Sequence, residues 1–411
     1  SYLTSSKACM TLINKIFSSS LHSVFLCFLI AIFVLLSGCQ TILPSYFSGS
    51  RLPVPKTKPP LQHLTQSPRM PLATHEFTFD ATRDDVVGRL QIVQAKEEDT
   101  LSDIARRFNL GLEEILHANP NVDPWLPGEG TPIIIPTEFV LPNAPREGVV
   151  INLAAMRLFY FPKAKSGKSQ KVITHPVGIG RVEWKTPQGL TRVTAKEANP
   201  SWIPPESIRK EHAANGDPLP AIVKPGPDNP MGTHVLRLGW PSYAIHGTNK
   251  PPSVGLRGSH GCLRMYPEDI ARIFKEIPVG TPVRIVNQPR LLGWRDHTLY
   301  LQVYPALEDD KRNHNTLLNA SLTRIPMTQK AKLSGRKQTK INTVLLREAT
   351  LNPRGVAIPV SNSNITLQKH IDSAISTLNV LPFNANWDGD NNQYLTAAEV
   401  IQHINEKSEQ N

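Results

Sequence analysis

The chain has 411 residues, 40% hydrophobic and 19% charged, which at roughly 100 to 200 residues per domain allows two or three domains and excludes a free peptide or wholesale disorder. Its 37 prolines exceed the usual share of about 5% and point to linkers and open loops. The formal charge of +11 raises nucleic acid, an anionic membrane face or an acidic polymer as partners, to be decided by where the charge sits.

Lys7 and Lys15 carry the only charges ahead of the apolar run Val24 to Leu36, 13 residues long. About 20 residues are needed to cross a bilayer, whereas 7 to 15 behind a basic flank suit a secretory signal. Leu36, Ser37, Gly38 and Cys39 resemble a bacterial lipobox, which implies a signal peptide over 1–39 and a lipid on Cys39; an uncleaved anchor is the alternative. With Cys9 and Cys27 removed and Cys39 lipidated, Cys262 is the one thiol left, and it has no partner for an internal disulfide. Residues 40–74 hold seven prolines, four basic residues and no acidic ones. They read as a tether reaching on the order of 100 Å when extended.

Residues 90–137 show a βααβ pattern: LQIVQA, Thr100 capping LSDIARRF, then LEEILHAN and TPIIIP. Leu101, Ile104, Ala105 and Phe108 recur at helical spacing, and Thr100 with Asp103 forms a shortened capping box. DTLSDIARRF, LEEILHANP and LPGEGTPIIIP together resemble a LysM module, which implies binding to glycan containing N-acetylglucosamine; a degenerate module acting as a spacer stays open. The module is acidic, so binding there would rest on shape and hydrogen bonding.

Residues 148–287 read as a mainly β catalytic domain, with VVINLAAMRLFYF, KVITHPVGIG, HVLRLG and TPVRIVN as short strands between Gly and Pro turns. PPESIRKEHAAN and PEDIARIFKEI read as helices. Long helices do not alternate with the strands, which disfavours a parallel α/β fold. The whole is therefore expected to be multidomain and mainly β, with residues 288–411 as a basic, α+β or partly disordered C-terminal extension. Nine basic and no acidic residues lie between Lys311 and Arg347. No nucleic-acid motif accompanies them, so a solvated face near anionic envelope polymers is expected, and no nucleic-acid partner. Asp388 to Glu399 matches several EF-hand ligand positions but has Gln393 where the sharp turn needs Gly, and reads better as a turn into a helix than as a calcium site.

Residues 244–265, AIHGTNKPPSVGLRGSHGCLRM, concentrate the reactive side chains. A catalytic cysteine needs a basic partner and donors for a developing oxyanion. His260, two residues before Cys262, would lie about 6 to 7 Å along an extended strand. His246 can return across the Gly- and Pro-rich loop, and is assigned as the base. The amides of Gly261 and Cys262 are candidate oxyanion donors. A zinc site using His246, His260 and Cys262 lacks a further ligand cluster, and no metal or cofactor is expected. Arg257 occupies the first Gly of a serine-hydrolase elbow, and Ser334-x-x-Lys337 has no companion motifs.

His246-Gly247-Thr248 followed by Ser259-His260-Gly261-Cys262-Leu263-Arg264-Met265 resembles the signature of the L,D-transpeptidases, the YkuD domain. PREGVVINLAAMRLFYFP, GIGRVEWKTPQG, NPSWIPP and GPDNPMG extend the similarity. The resemblance implies that Cys262 attacks the diaminopimelate carbonyl of a peptidoglycan tetrapeptide stem, releases D-Ala and passes the acyl group to an amine, that of another stem or of an envelope lipoprotein. It implies that the Gly247 carbonyl orients His246, that Ser259, His260 and Arg264 line the site, that Arg264, with Arg257 or Arg181, holds substrate carboxylates, and that carbapenems acylate the thiol. A lipid-anchored location in the periplasm of a Gram-negative bacterium, at the outer membrane, follows from the same resemblances. A wall-binding scaffold without activity and a carboxypeptidase using water are the alternatives.

Overall fold

The computed structural model describes residues 75–163, 169–324, 340–361 and 363–380, all within one compact unit. Cys39, the tether, residues 325–339 of the basic stretch with Ser334 to Lys337, and Asp388 to Glu399 lie outside the described residues.

The chain enters through two short strands, Glu76–Asp80 (β1) and Val86–Gly88 (β2), then forms the expected βααβ module: Gln91–Gln94 (β3), Leu101–Arg107 (α1), Leu112–Ala118 (α2) and Pro132–Ile135 (β4). β3 and β4 pair antiparallel. The Thr100 hydroxyl accepts from the Asp103 amide, and the Asp103 carboxylate accepts from the Thr100 amide at 3.0 Å, so the shorter acid still closes a capping box. Leu101, Ile104, Ala105 and Phe108 pack with Ile115, Ile133 and Ile135 in the module's core. Glu138–Val140 (β5) follows and pairs with β2.

The β-rich region expected to hold the site continues with Gly148–Asn152 (β6), Arg157–Phe161 (β7), Ser169–Pro176 (β8), Ile179–Gly180 (β9), Gly189–Ala198 (β10), Glu206–Ala214 (α3), His234–Leu238 (β11), Ala244–His246 (β12), Arg257–Ser259 (β13), Leu263–Arg264 (β14), Pro267–Glu276 (α4) and Pro282–Val286 (β15). Among the described residues nine strands form one mixed sheet in the order β1-β8-β7-β6-β15-β10-β11-β12-β14. Only β15 with β6 and β12 with β14 run parallel in it. In β6 and β7, Val149, Ile151, Leu158 and Tyr160 enter the large core with α4, whereas Val150, Phe159 and Phe161 enter a second core with Phe79, Phe139 and Val172. A strand buried on both faces has no need of polar alternation, which is why VVINLAAMRLFYF reads as a nearly continuous apolar run.

Beyond residue 288 the chain leaves the nine-stranded sheet for a separate three-stranded one. Arg290–Arg295 (β16) and Thr298–Val303 (β17) form a hairpin whose two turn residues, Asp296 and His297, both have positive φ (45° and 64°), as a type I′ turn requires. After helices His314–Arg324 (α5) and Thr343–Leu351 (α6), Ala357–Pro359 (β18) adds to β17; Leu367–Asp372 (α7) then leads to Ile375–Ser376 (β19), which pairs with β3 of the small module. Leu299, Leu301 and Ile358 share a core with Leu90, Ala118 and Ile134. The described part of the extension is thus α+β, as expected, but it packs on the small module and is not a separate appendage.

Candidate active site

The short parallel pair β12 and β14 places the reactive side chains. Ile245 and Leu263 stand opposite each other and both point into the core, fully buried. Because successive strand residues alternate faces, Ala244, His246, Cys262 and Arg264 all project to the other side. His246 is in register with Arg264, so Cys262 is its diagonal neighbour, about 8 Å away at Cα from the strand spacing and two residue steps.

His246 is buried, and its Nδ1 lies 2.6 Å from the Gly247 carbonyl. A carbonyl only accepts, so Nδ1 carries the hydrogen and Nε2 keeps its lone pair. The Cys262 thiol donates to the Ser242 carbonyl at 3.4 Å. The turn before it is tied by Ser259, whose hydroxyl donates to the Cys262 carbonyl at 2.5 Å and accepts from the Gly261 amide at 3.1 Å. Gly261 has φ +102°, and a Cβ there would meet Tyr243 Cε1 at 2.8 Å, so no larger residue fits. Its carbonyl accepts from Thr186, which in turn accepts from the Gly180 amide.

Burial and the neighbouring Arg264 lower the His246 pKa to about 4, against the pull of the Gly247 and Met231 carbonyls. The imidazole is therefore neutral at neutral pH. Burial raises the Cys262 thiol, opposed by the Ala244 backbone and by Arg264 and Arg237. Desolvation lowers Arg264, which has no carboxylate partner among the described residues. A thiol, an imidazole and a guanidinium without a carboxylate partner among the described residues thus share one strand face, a grouping of the kind found where a thiolate is formed beside a base.

Residues 146–285 match the L,D-transpeptidase catalytic domain, and residues 93–136 the LysM domain. The probable L,D-transpeptidase YbiS of Escherichia coli K12 is 38% identical over 291 residues, covering 69% of this chain and 91% of that protein. The chain belongs to the L,D-transpeptidase family. The probable L,D-transpeptidase YcfS of Escherichia coli K12 is 43% identical over 194 residues (46% of this chain, 59% of that protein). ErfK/SrfK of Salmonella typhimurium, also named a probable L,D-transpeptidase, is 38% identical over 230 residues (55% and 73%).

Within this transpeptidase, His246, Gly247, Ser259, Gly261, Cys262 and Arg264 come together as the sequence reading expected. His260 points elsewhere: its Nε2 lies 3.0 Å from Glu211 and 3.2 Å from Arg181, with Trp184 edge-on to the ring. Arg181 is occupied by Glu211 at 2.6 Å, and Arg257 by Asp309 at 2.8 Å. Of the three arginines considered for substrate carboxylates, Arg264 is the one without such a partner. The Gly261 amide is held by Ser259, which leaves that of Cys262 from the expected oxyanion pair. Sequence reasoning missed Glu211, Thr186 and Asn229. Asn229, fully buried, accepts from the Met231 amide and donates to the Pro200 carbonyl, closing the long β10–β11 connection beside His246. Its signal was the GPDNPMG stretch, where a single Asn between prolines marks a turn but not its partners.

Proposed function

We propose that Cys262 is the nucleophile of an acyl transfer through a thioester, with His246 as the base. His246 Nε2 takes the thiol proton as Sγ attacks the carbonyl of the third stem residue, a diaminopimelate. The C–N bond to D-Ala breaks, and the proton held on His246 passes to the departing amine. In the second half an acceptor amine attacks the thioester, gives its proton to His246, and the proton returns to the sulfur as it leaves. Arg264 would hold a substrate carboxylate by paired hydrogen bonds, and the Cys262 amide would face the developing oxyanion. The observation that carries this reading is the neutral, carbonyl-oriented His246 on the same strand face as the lone thiol and an unpaired guanidinium.

The acceptor is a second stem, giving a 3-3 cross-link, or the terminal lysine of an envelope lipoprotein, giving anchorage. The small module would bring the enzyme to glycan, where Trp125 and Leu126, 71% and 77% exposed, offer an apolar platform to a sugar ring. Lipid on Cys39 would hold the protein at the outer membrane, facing the periplasm, and Cys39→Ser should release it from the membrane fraction.

Mass analysis of muropeptides tests the reaction. Wild type incubated with tetrapeptide stems and a second D-amino acid should exchange the terminal D-Ala, and Cys262→Ala or His246→Ala should not. Formation of tripeptide alone, with no acceptor joined, would establish a carboxypeptidase instead, and no change at all would establish a scaffold.

A further inference from the structure

The connection from His246 to Cys262 leans on the small module. The amides of Leu112 and Glu113, at the start of α2, donate to the carbonyls of Val254 and Gly255, both at 3.1 Å. These are N–H groups that a helix leaves unsatisfied in its first turn. Gly111 and Gly255 meet backbone to backbone. A Cβ on Gly255 would lie 2.3 Å from Gly111 Cα, and the φ of Gly255 is +78°.

Beyond Cys262 the same module grips again. Tyr266 Oη donates to the Leu110 carbonyl at 2.8 Å, Arg106 makes two bonds to Glu268 at 3.0 and 3.1 Å, and Asn109 Nδ2 donates to Asp269 at 2.6 Å. Beneath these, Glu114 receives two bonds from Arg157 of β7 at 2.7 Å and one from the Gly111 amide at 2.8 Å, with both charged side chains at least 95% buried. Residues 254–269 are therefore held at both ends by residues 106–114, and Cys262 lies between the two grips.

We propose that the small module is a working part of the transfer site, whose residues 106–114 set the position of Cys262 relative to His246; Gly255, Arg106 and Glu268 are positioning residues. A module that only tethers an enzyme to glycan has no need of a charge-paired contact on the segment that carries the nucleophile. The inference rests on the transfer reading above but can be measured apart from it. Misplacing a reacting group by about 1 Å can cost about a hundredfold in rate, so a small shift of this segment should be visible in catalysis before it is visible in folding.

The test uses the full chain with Gly255→Ala, Arg106→Glu, and Arg106→Glu combined with Glu268→Arg. Three quantities are read: kcat and KM for D-Ala exchange, the rate of Cys262 alkylation by iodoacetamide, and the thermal midpoint. Gly255→Ala should lower kcat by about tenfold or more while KM changes by less than about twofold, with Cys262 alkylation changed by at least about threefold. Arg106→Glu should show the same split to a smaller degree, and the double variant should recover it. Unchanged kcat and alkylation in a folded Gly255→Ala protein would overturn the proposal. Should that variant fail to fold, the charge-reversed pair decides, and failure of Glu268→Arg to restore the lost rate would count against the proposal. If wild type exchanges no D-Ala, the transfer reading falls, and the alkylation rates alone then judge the positioning.

Discussion

The face that carries Cys262 and the junction behind it treat charge in opposite ways. Behind, Arg157 with Glu114 and Arg106 with Glu268 are closed ion pairs, and Asn109 bridges toward Asp269 and His175. In front, His246 is neutral, Cys262 is a thiol and Arg264 has no counter-ion among the described residues. A buried charge costs several kcal/mol unless it is paired. The pairs behind the strands therefore belong to the architecture, whereas Arg264, part-buried and without a carboxylate partner among the described residues, is the charge that the proposed reading gives to a substrate anion.

Breaking a pair behind the site should have the largest effect on the fold. Glu114→Ala leaves Arg157 buried without its carboxylate and should cost about 3–5 kcal/mol in denaturant unfolding, whereas replacing both by Leu and Met should be close to neutral. A loss below about 1 kcal/mol in the single variant would show that the pair is solvated and that the contrast is false.

Arg264→Ala should do the reverse. It removes a charge that burial disfavours, so the thermal midpoint should hold or rise, while kcat/KM falls by about ten- to a hundredfold, as for a lost charge-assisted hydrogen bond of about 1.5–3 kcal/mol. Destabilisation with unchanged kinetics would make Arg264 structural.

The pH profile sharpens the same point. The folded His246 pKa lies near 4, below its ordinary 6.5, so the base stays neutral through mildly acidic pH, and the acid limb of kcat/KM should fall near pH 4. For a depressed folded value the linked stability is present above about 6.5 and is lost as pH falls through about 4. An acid limb at 6.5 would mean that the imidazole is solvated. The smallest effect is expected at the flank, where Glu211 of α3 joins Arg181 and His260 about one-third exposed. Screening weakens such pairs, and Glu211→Gln should slow D-Ala exchange by less than about threefold.

Local patterns were readable from the chain alone: the Thr100 capping box, both helices of the small module, α3 and α4, and the candidate residues of the site. They depend on neighbours a few residues apart. Pairings over long separations were not readable. β1 joins β8 across about 90 residues, and β19 joins β3 across more than 280; the EFTFD of β1 alternates but does not reveal its partner, and β19 has only two residues. The β16–β17 hairpin was missed because its turn is Asp296-His297 rather than a pair ending in Gly, although both residues adopt the left-handed conformation that Gly favours. His260 misled for a related reason. Proximity to Cys262 along the chain says nothing about Glu211, which reaches it from a helix 49 residues away.

The central claim, that Cys262 is an acylated nucleophile activated by His246, is tested most directly by intact mass and peptide mapping after exposure to a carbapenem such as meropenem, whose strained amide a thiolate can open. Wild type should gain one stable adduct on the peptide containing Cys262, and His246→Ala should acquire it more slowly, since the general base would be missing. An adduct on another residue, or none on folded protein, would contradict the assignment.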